Sequence, residues 1–330
     1  MIDLEGVSKN YGPVRALQDI SFHVSRNETV GLLGRNGAGK TTLLNLLTGY
    51  FPPTAGRVRI AGKDMAEDPA SCKRRIGYLP ERPPLYDEMT VESYLRFVCE
   101  LREVKKPAIP PHVDEILSLC GLTEVRGRVL GHLSKGTRQR AGIAQALCGA
   151  SELLILDEPT AGLDPQQTVE IRSLIRRLRG EHTVIFSSHI LSEVQQVCTR
   201  VIILEEGRLV TDTGLQHQET GILRLRLAVA GESRRILQTL KSLPGVTAAE
   251  KVRPDAEKIP MAKPAPESAA PAAPREGEAE YRLTLQCEAG PGEALDRAFR
   301  LLAESGLRVR MMREERETLE EVFLRAVSGQ

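Results

Sequence analysis

No apolar run in this 330-residue chain approaches the length that crosses a bilayer, and its opening Met-Ile-Asp-Leu-Glu lacks the basic and apolar regions of a secretory leader. Any work at a membrane is therefore expected to be borrowed from a partner. An excess of one charge is missing too: 45 Lys and Arg against 44 Asp and Glu leave a formal net charge of +1, which supplies no overall field toward nucleic acid or acidic lipid. The six cysteines, Cys72, Cys99, Cys120, Cys148, Cys198 and Cys287, include no CxxC pair. Neither a zinc site nor a disulfide framework is indicated, and reduced thiols in a cytosol fit best. What is present is 41% hydrophobic residues, enough to fill globular cores, over a length that suggests about two domains.

The most informative stretch is Gly34-Arg35-Asn36-Gly37-Ala38-Gly39-Lys40-Thr41, followed by Thr42. It lies between the apolar run Val30 to Leu33 and the leucines Leu43, Leu44, Leu46 and Leu47, which reads as strand, glycine-rich loop, helix. Glycines let the backbone curl around a polyphosphate at the positive end of the following helix. The Lys40 ammonium can neutralise the outer phosphates and the Thr41 hydroxyl can ligate Mg²⁺, so the segment is expected to bind a nucleoside triphosphate.

Short apolar strands alternate with helical patterns to about residue 215, the order of an α/β domain around a mainly parallel sheet. Leu153 to Leu156 ends in Asp157-Glu158, and Thr183 to Phe186 ends in Ser187-Ser188-His189. In open α/β sheets ligands bind at that edge, so these groups are expected to face the same crevice as the Gly34 loop. There Asp157 can hold the Mg²⁺ shell and Glu158 can polarise an attacking water.

Beyond a turn at Gly221, Leu223 to Val229 alternates as a strand and a helix carries Ile236, Leu237 and Leu240, followed by a strand near Val246 to Val252. The order then repeats with Leu283, Leu285 and Cys287, a helix with Leu295, Phe299 and Leu302, and a strand Leu307 to Met311. Two βαβ units suggest a small α+β ferredoxin-like domain. A last amphipathic helix is expected over Leu319 to Val327, and the proline- and alanine-rich residues 254–280 are expected to be a disordered linker. The expected division is residues 1–220 and residues 221–330.

Leu133-Ser134-Lys135-Gly136-Thr137-Arg138-Gln139-Arg140 precedes a helix through Ile143, Ala144, Ala146 and Leu147, with Ser134 suited to cap it. This segment resembles the signature motif of ABC-type ATPases, and the remaining elements occur in the family's order over roughly residues 2–215. The resemblance implies a P-loop NTPase domain with antiparallel β and helical subdomains. It implies that Tyr11 stacks on adenine, that Ala161-Gly162-Leu163-Asp164 is the dimer-contacting loop, and that His189 senses the γ-phosphate, with Lys40, Glu158 and His189 as the catalytic set. In the family, two such domains sandwich two ATP molecules, each held by one chain's cradle and the other's Ser134-Lys135-Gly136 segment. A homodimer or a related second subunit is therefore expected.

The sequence departs from the usual pattern at Glu81, where many members place a glutamine that touches Mg²⁺; a carboxylate can still serve as a ligand while adding negative charge. Lys135 replaces a glycine, suiting an incoming phosphate, with a merely solvated side chain as the competing reading. The Leu-Ser-Lys-Gly and Tyr-Leu-Pro-Glu forms, with the ending Leu319-Glu320-Glu321-Val322-Phe323-Leu324, resemble ATP-binding subunits of type-2 ABC exporters, including the drug-export and gliding-motility groups. That implies a separately encoded integral membrane permease, contacted by Leu85 to Leu101 behind a Thr90 helix cap, at the cytoplasmic face of the membrane, with no nucleic acid partner. The alternative is a soluble ABC-type ATPase that remodels ribosomes or nucleic acid. A third reading, compatible with the first, makes the C-terminal domain a small-molecule sensor.

Overall fold

Leu153 and Ile155 enter one hydrophobic core and Leu154 and Leu156 another, because the strand that carries them is covered on both faces. The computed structural model describes residues 1–149, 151–214, 222–242, 245–252, 278–286, 299–300 and 302–314, which fall into two units. In the first, β3 (Thr29–Leu33), β6 (Ile76–Leu79), β7 (Leu153–Leu156), β8 (Thr183–Ser188) and β9 (Arg200–Glu205) run parallel. Antiparallel β10 (Arg208–Gly214) completes the order β10-β9-β3-β8-β7-β6. A second sheet, β1 (Ile2–Tyr11), β2 (Val14–Val24), β4 (Ala55–Ile60) and β5 (Lys63–Asp64), is antiparallel in the order β2-β1-β4-β5.

One core joins the two sheets through α1 (Lys40–Leu47), whose Leu43, Leu44, Leu46 and Leu47 are all buried, and includes Cys72 of α2 (Pro69–Arg74). The other core packs the opposite face of the parallel sheet against α5 (Lys135–Leu147), α6 (Pro165–Arg177) and α7 (Leu191–Val197), and extends through α3 (Val91–Leu101) and α4 (Ile109–Leu119). Helix starts are set locally. Thr90, Ser134 and Asp164 each accept a hydrogen bond from the backbone N–H three residues on, and Pro165 opens α6 at the position where its missing N–H costs nothing. Val91, Tyr94, Leu95 and Cys99 then form the buried stripe of α3. No helix among the described residues is long and apolar enough to cross a membrane.

The second unit has its own core. β11 (Ile222–Ala230), β12 (Val246–Lys251), β13 (Glu278–Gln286) and β14 (Arg308–Glu314) form an antiparallel sheet in the order β12-β13-β11-β14, with α8 (Ser233–Ser242) between β11 and β12 in the chain, the ferredoxin-like arrangement. Leu225, Leu227, Val229, Tyr281, Leu283 and Leu285 meet Ile236 and Leu240 beneath it. β13 begins at Glu278, inside the stretch expected to be linker, because Glu278 pairs with Ala230 and the alternation continues to Tyr281. Residues 254–277, Cys287, Leu295 and Leu319 to Val327 lie outside the described residues.

The region between β6 and α5 is tied by charge as well as packing. Glu92 in the first turn of α3 accepts from Arg96 Nη2 at 2.8 Å and from Arg126 Nε at 2.9 Å, and Arg126 also meets Asp114 of α4 at 3.1 Å. Arg126 first and Arg96 second hold the Glu92 carboxyl down at about 2. A depressed folded pKa stabilises above the unfolded value of about 4.3 and loses that contribution as pH falls toward 2. Glu92→Gln is thus expected to cost up to about 1 kcal/mol at pH 7, since the groups are partly solvated. In thermal denaturation its deficit against the parent protein should shrink as pH drops from about 5 to about 2.

Candidate active site

The C-terminal ends of β3, β8 and β7 are neighbours in the sheet, and their loops build a cleft of about 650 Å³. From the loop after β3 come Arg35, Asn36, Gly37 and Gly39, and from the first turn of α1 Lys40, Thr41 and Thr42; Glu81 follows β6, Glu158 follows β7 and His189 follows β8. The loop depends on glycine at specific points. Gly39 has φ 102°, and a Cβ there would lie 2.8 Å from both the Ala16 carbonyl oxygen and Leu17 Cδ2. A Cβ at Gly34 would lie 2.6 Å from the Leu204 carbonyl oxygen. The backbone is thus pressed against its surroundings, and the cradle keeps its room on the open side.

Lys40 is 7% exposed, and its Nζ donates to the carbonyls of Gly34 at 2.8 Å and Arg35 at 3.4 Å. It also lies 3.4 Å from Glu158 Oε1, while the other oxygen of that carboxylate meets His189 Nδ1 at 2.6 Å. Glu158 is thereby spanned by an ammonium on one side and an imidazole on the other. Its φ of 47° is a left-handed conformation uncommon outside glycine. That backbone is held by its N–H, which donates to Ser187 Oγ at 2.8 Å, and by its carbonyl, which accepts from Ala161 N at 3.0 Å.

The Ser187 hydroxyl in turn donates to Asp157 Oδ1 at 2.6 Å. Asp157 is 3% exposed, and burial pushes its carboxyl up; the Glu158 and Glu81 charges act in the same direction, while the Ser187 bond and Lys40 oppose it. Buried negative charge of this kind is relieved by a cation. The oxygen donors Thr41, Asp157 and Glu81 suit a hard ion that keeps phosphate and water oxygens in its shell, so the residues present fit Mg²⁺.

Other sequence-expected residues stand elsewhere. Gly34, Ala38 and Asp157 support the cleft without lining it. Tyr11 does not line it either: its ring meets Phe51 edge-on at 6.2 Å and 83°, with the Lys9 ammonium 5.3 Å from its centroid. Ser134, Lys135, Gly136 and Asp164 are also absent from the lining. Lys135 Nζ donates to the Gly162 carbonyl at 3.1 Å, and a Cβ at Gly136 would meet the Gln167 side chain at 2.6 Å, so the start of α5 is fitted to the loop before α6 and to the first turn of α6. Sequence reasoning missed Val14, Arg15, Ala16, Glu206 and Gly207, which line the cleft. The available signal was Glu206-Gly207, a turn in which both residues have positive φ.

The ABC transporter family profile matches residues 17–161. The uncharacterized ABC transporter ATP-binding protein YxlF of Bacillus subtilis (strain 168) is 38% identical over 229 residues, covering 68% of this chain and 76% of its own length. The bacitracin transport ATP-binding protein BcrA of Bacillus licheniformis is 39% identical over 220 residues, covering 66% and 71%. Among solved structures, cbiO1 from Clostridium perfringens, part of the ABC transporter complex cbiONQ, aligns with a TM-score of 0.61 and 29% identity over 65% of this chain and 88% of that one.

Gly37 and Gly39 provide a graded test of the cradle. Gly37 has φ 84° with nothing within 4 Å of the position a Cβ would take, so Gly37→Ala should cost only about 1–2 kcal/mol of backbone strain. Gly39→Ala adds a backbone collision and should lose about 1–3 kcal/mol more, with ATP binding lost as well. Thermal denaturation and equilibrium ATP binding check the ranking, and equal effects would contradict it.

Proposed function

The chain belongs to the ABC transporter ATP-binding proteins and hydrolyses ATP, and from that premise we propose that it powers export through a separately encoded integral membrane permease, two copies closing around ATP. The observation that carries the reading is the Glu158 carboxylate held between Lys40 and His189 in the cleft. Phosphoryl transfer to water asks the protein mainly for positioning and charge neutralisation. Lys40 exchanges its carbonyl and carboxylate partners for the outer phosphates, which frees Glu158 to accept a proton from the attacking water. His189 keeps Glu158 oriented from the other side and faces the terminal phosphate. Mg²⁺, held by Thr41, Asp157 and Glu81, would neutralise phosphate charge.

A second copy supplies what this cleft does not contain. Ser134 caps a thirteen-residue helix, and such a start, with Lys135 and Gly136, offers N–H groups and positive charge to a phosphate. Asp164 begins the helix beside it. Tyr11, joined to Phe51, is assigned to the adenine ring. The permease contact is assigned to the segment Leu85 to Leu101. There exposed Tyr86 packs at 5.9 Å from Tyr94 and 5.6 Å from Phe97, downstream of Glu81 in the cleft. That continuity would pass closure on to a permease, placing the protein at the cytoplasmic face of the membrane. Likeness to BcrA, a bacitracin transport protein, favours transport over ribosome or nucleic-acid remodelling and supports the exporter branch.

The test is Glu158→Gln isolated from detergent-solubilised membranes with Mg-ATP. Bound ATP, two copies per complex, a co-purifying integral membrane subunit and turnover reduced at least about a hundredfold are expected. Turnover equal to the parent protein removes Glu158 from its role, and recovery with ribosomes contradicts the transport reading.

A further inference from the structure

Glu193 is a buried carboxylate that the reaction described above does not use. It lies in the first turn of α7, is 6% exposed, and forms no ion pair among the described residues. Its Oε2 accepts two hydroxyls, Thr160 Oγ1 at 2.8 Å and Ser188 Oγ at 2.9 Å. Taking a carboxylate out of water without a cation is unfavourable, and the start of α7 offsets only part of that cost. Such a departure from ordinary folding economy points to function.

The two hydroxyls it joins are informative. Thr160 stands two residues after Glu158, and Ser188 immediately precedes His189. Ser188 Oγ also accepts from the Ile190 N–H at 3.0 Å, which fixes the backbone on the far side of His189. Thus Ser187 ties the ends of β7 and β8 through Asp157 and Glu158, and Glu193 ties the same two loops one step further out. The same two loops carry the 2.6 Å contact of Glu158 with His189.

We propose that Glu193 is a positioning residue for hydrolysis: by gathering Thr160 and Ser188 on one oxygen atom it sets the distance between the loops that carry Glu158 and His189. The inference rests on the reading of Glu158 and His189 as the hydrolytic pair. It assigns no contact between Glu193 and nucleotide, so ATP binding should not depend on it.

The experiment compares ATP affinity and kcat of the full chain for Glu193→Ala, Glu193→Gln, His189→Ala and the double variant Glu193→Ala/His189→Ala, with Glu158→Gln alongside. Small misplacements of reacting groups cost about tenfold to a hundredfold in rate, so Glu193→Ala should lose at least about tenfold in kcat with ATP Kd within about twofold. Glu193→Gln, whose amide oxygen can still accept both hydroxyls, should keep most of the rate. In the His189→Ala background, removing Glu193 should change the residual rate less than about twofold, because the contact it protects is already gone. Unchanged kcat in Glu193→Ala, full multiplication of the two losses, or parallel losses of affinity and rate that Glu193→Gln does not restore would each overturn the proposal. Full turnover in Glu158→Gln would instead sink the underlying assignment; an inert Glu158→Gln beside a normal Glu193→Ala sinks only the role of Glu193.

Discussion

The ion pair between Lys40 and Glu158 brings together the two halves of the cleft, one from the loop after β3 and one from the end of β7. These strands are not neighbours; β8 lies between them and delivers Ser187 and His189 to the same edge. The parallel sheet therefore sets the spacing: the Ser187 hydroxyl and the His189 imidazole from the middle strand hold the groups at the end of β7, and Lys40 reaches them from the β3 side. Loop carbonyls accept from the ammonium, an imidazole meets the carboxylate, and the two charges face each other, the resting arrangement that the proposed function has a polyphosphate replace.

Several local costs are concentrated at that edge. Glu158 occupies a left-handed backbone conformation, Asp157 is a buried carboxylate beside two more, and Gly34 and Gly39 leave no room for a side chain. Two continuous cores, one on each face of the sheet, hold these features in place. The geometry of the cleft is a property of strand order and packing.

Much of this is legible in the chain because it is written in short-range patterns. Apolar runs ending in Asp157-Glu158 and Ser187-Ser188-His189 identify buried strands and the polar groups at their ends, and the Gly34 to Thr41 spacing identifies the loop. The helix caps Thr90, Ser134 and Asp164 are equally local. What escapes a reading of the sequence depends on contacts between distant segments. Nothing in the sequence links Ser187 to Asp157, Glu193 to Thr160, or Gly207 to Ala16, since each pairing is made by sheet order or chain return. Tyr11 is an isolated aromatic along the chain, whereas in the fold Phe51, from a distant segment, packs against it beside Lys9 of the same strand. Glu278 to Glu280 resemble linker by composition, yet they pair as a strand because Tyr281, Leu283 and Leu285 anchor the alternation that follows.

In the proposed reaction a single chain supplies the cradle and the catalytic carboxylate, whereas the phosphate-facing start of α5 comes from a second copy. A structure of the complex with Mg²⁺ and a non-hydrolysable ATP analogue tests this division of labour most directly. Lys40 is expected on the outer phosphates, Glu158 free to hold a water, and Ser134 of a second copy against the terminal phosphate. A nucleotide enclosed wholly within one chain, with Lys40 still paired to Glu158, would contradict it.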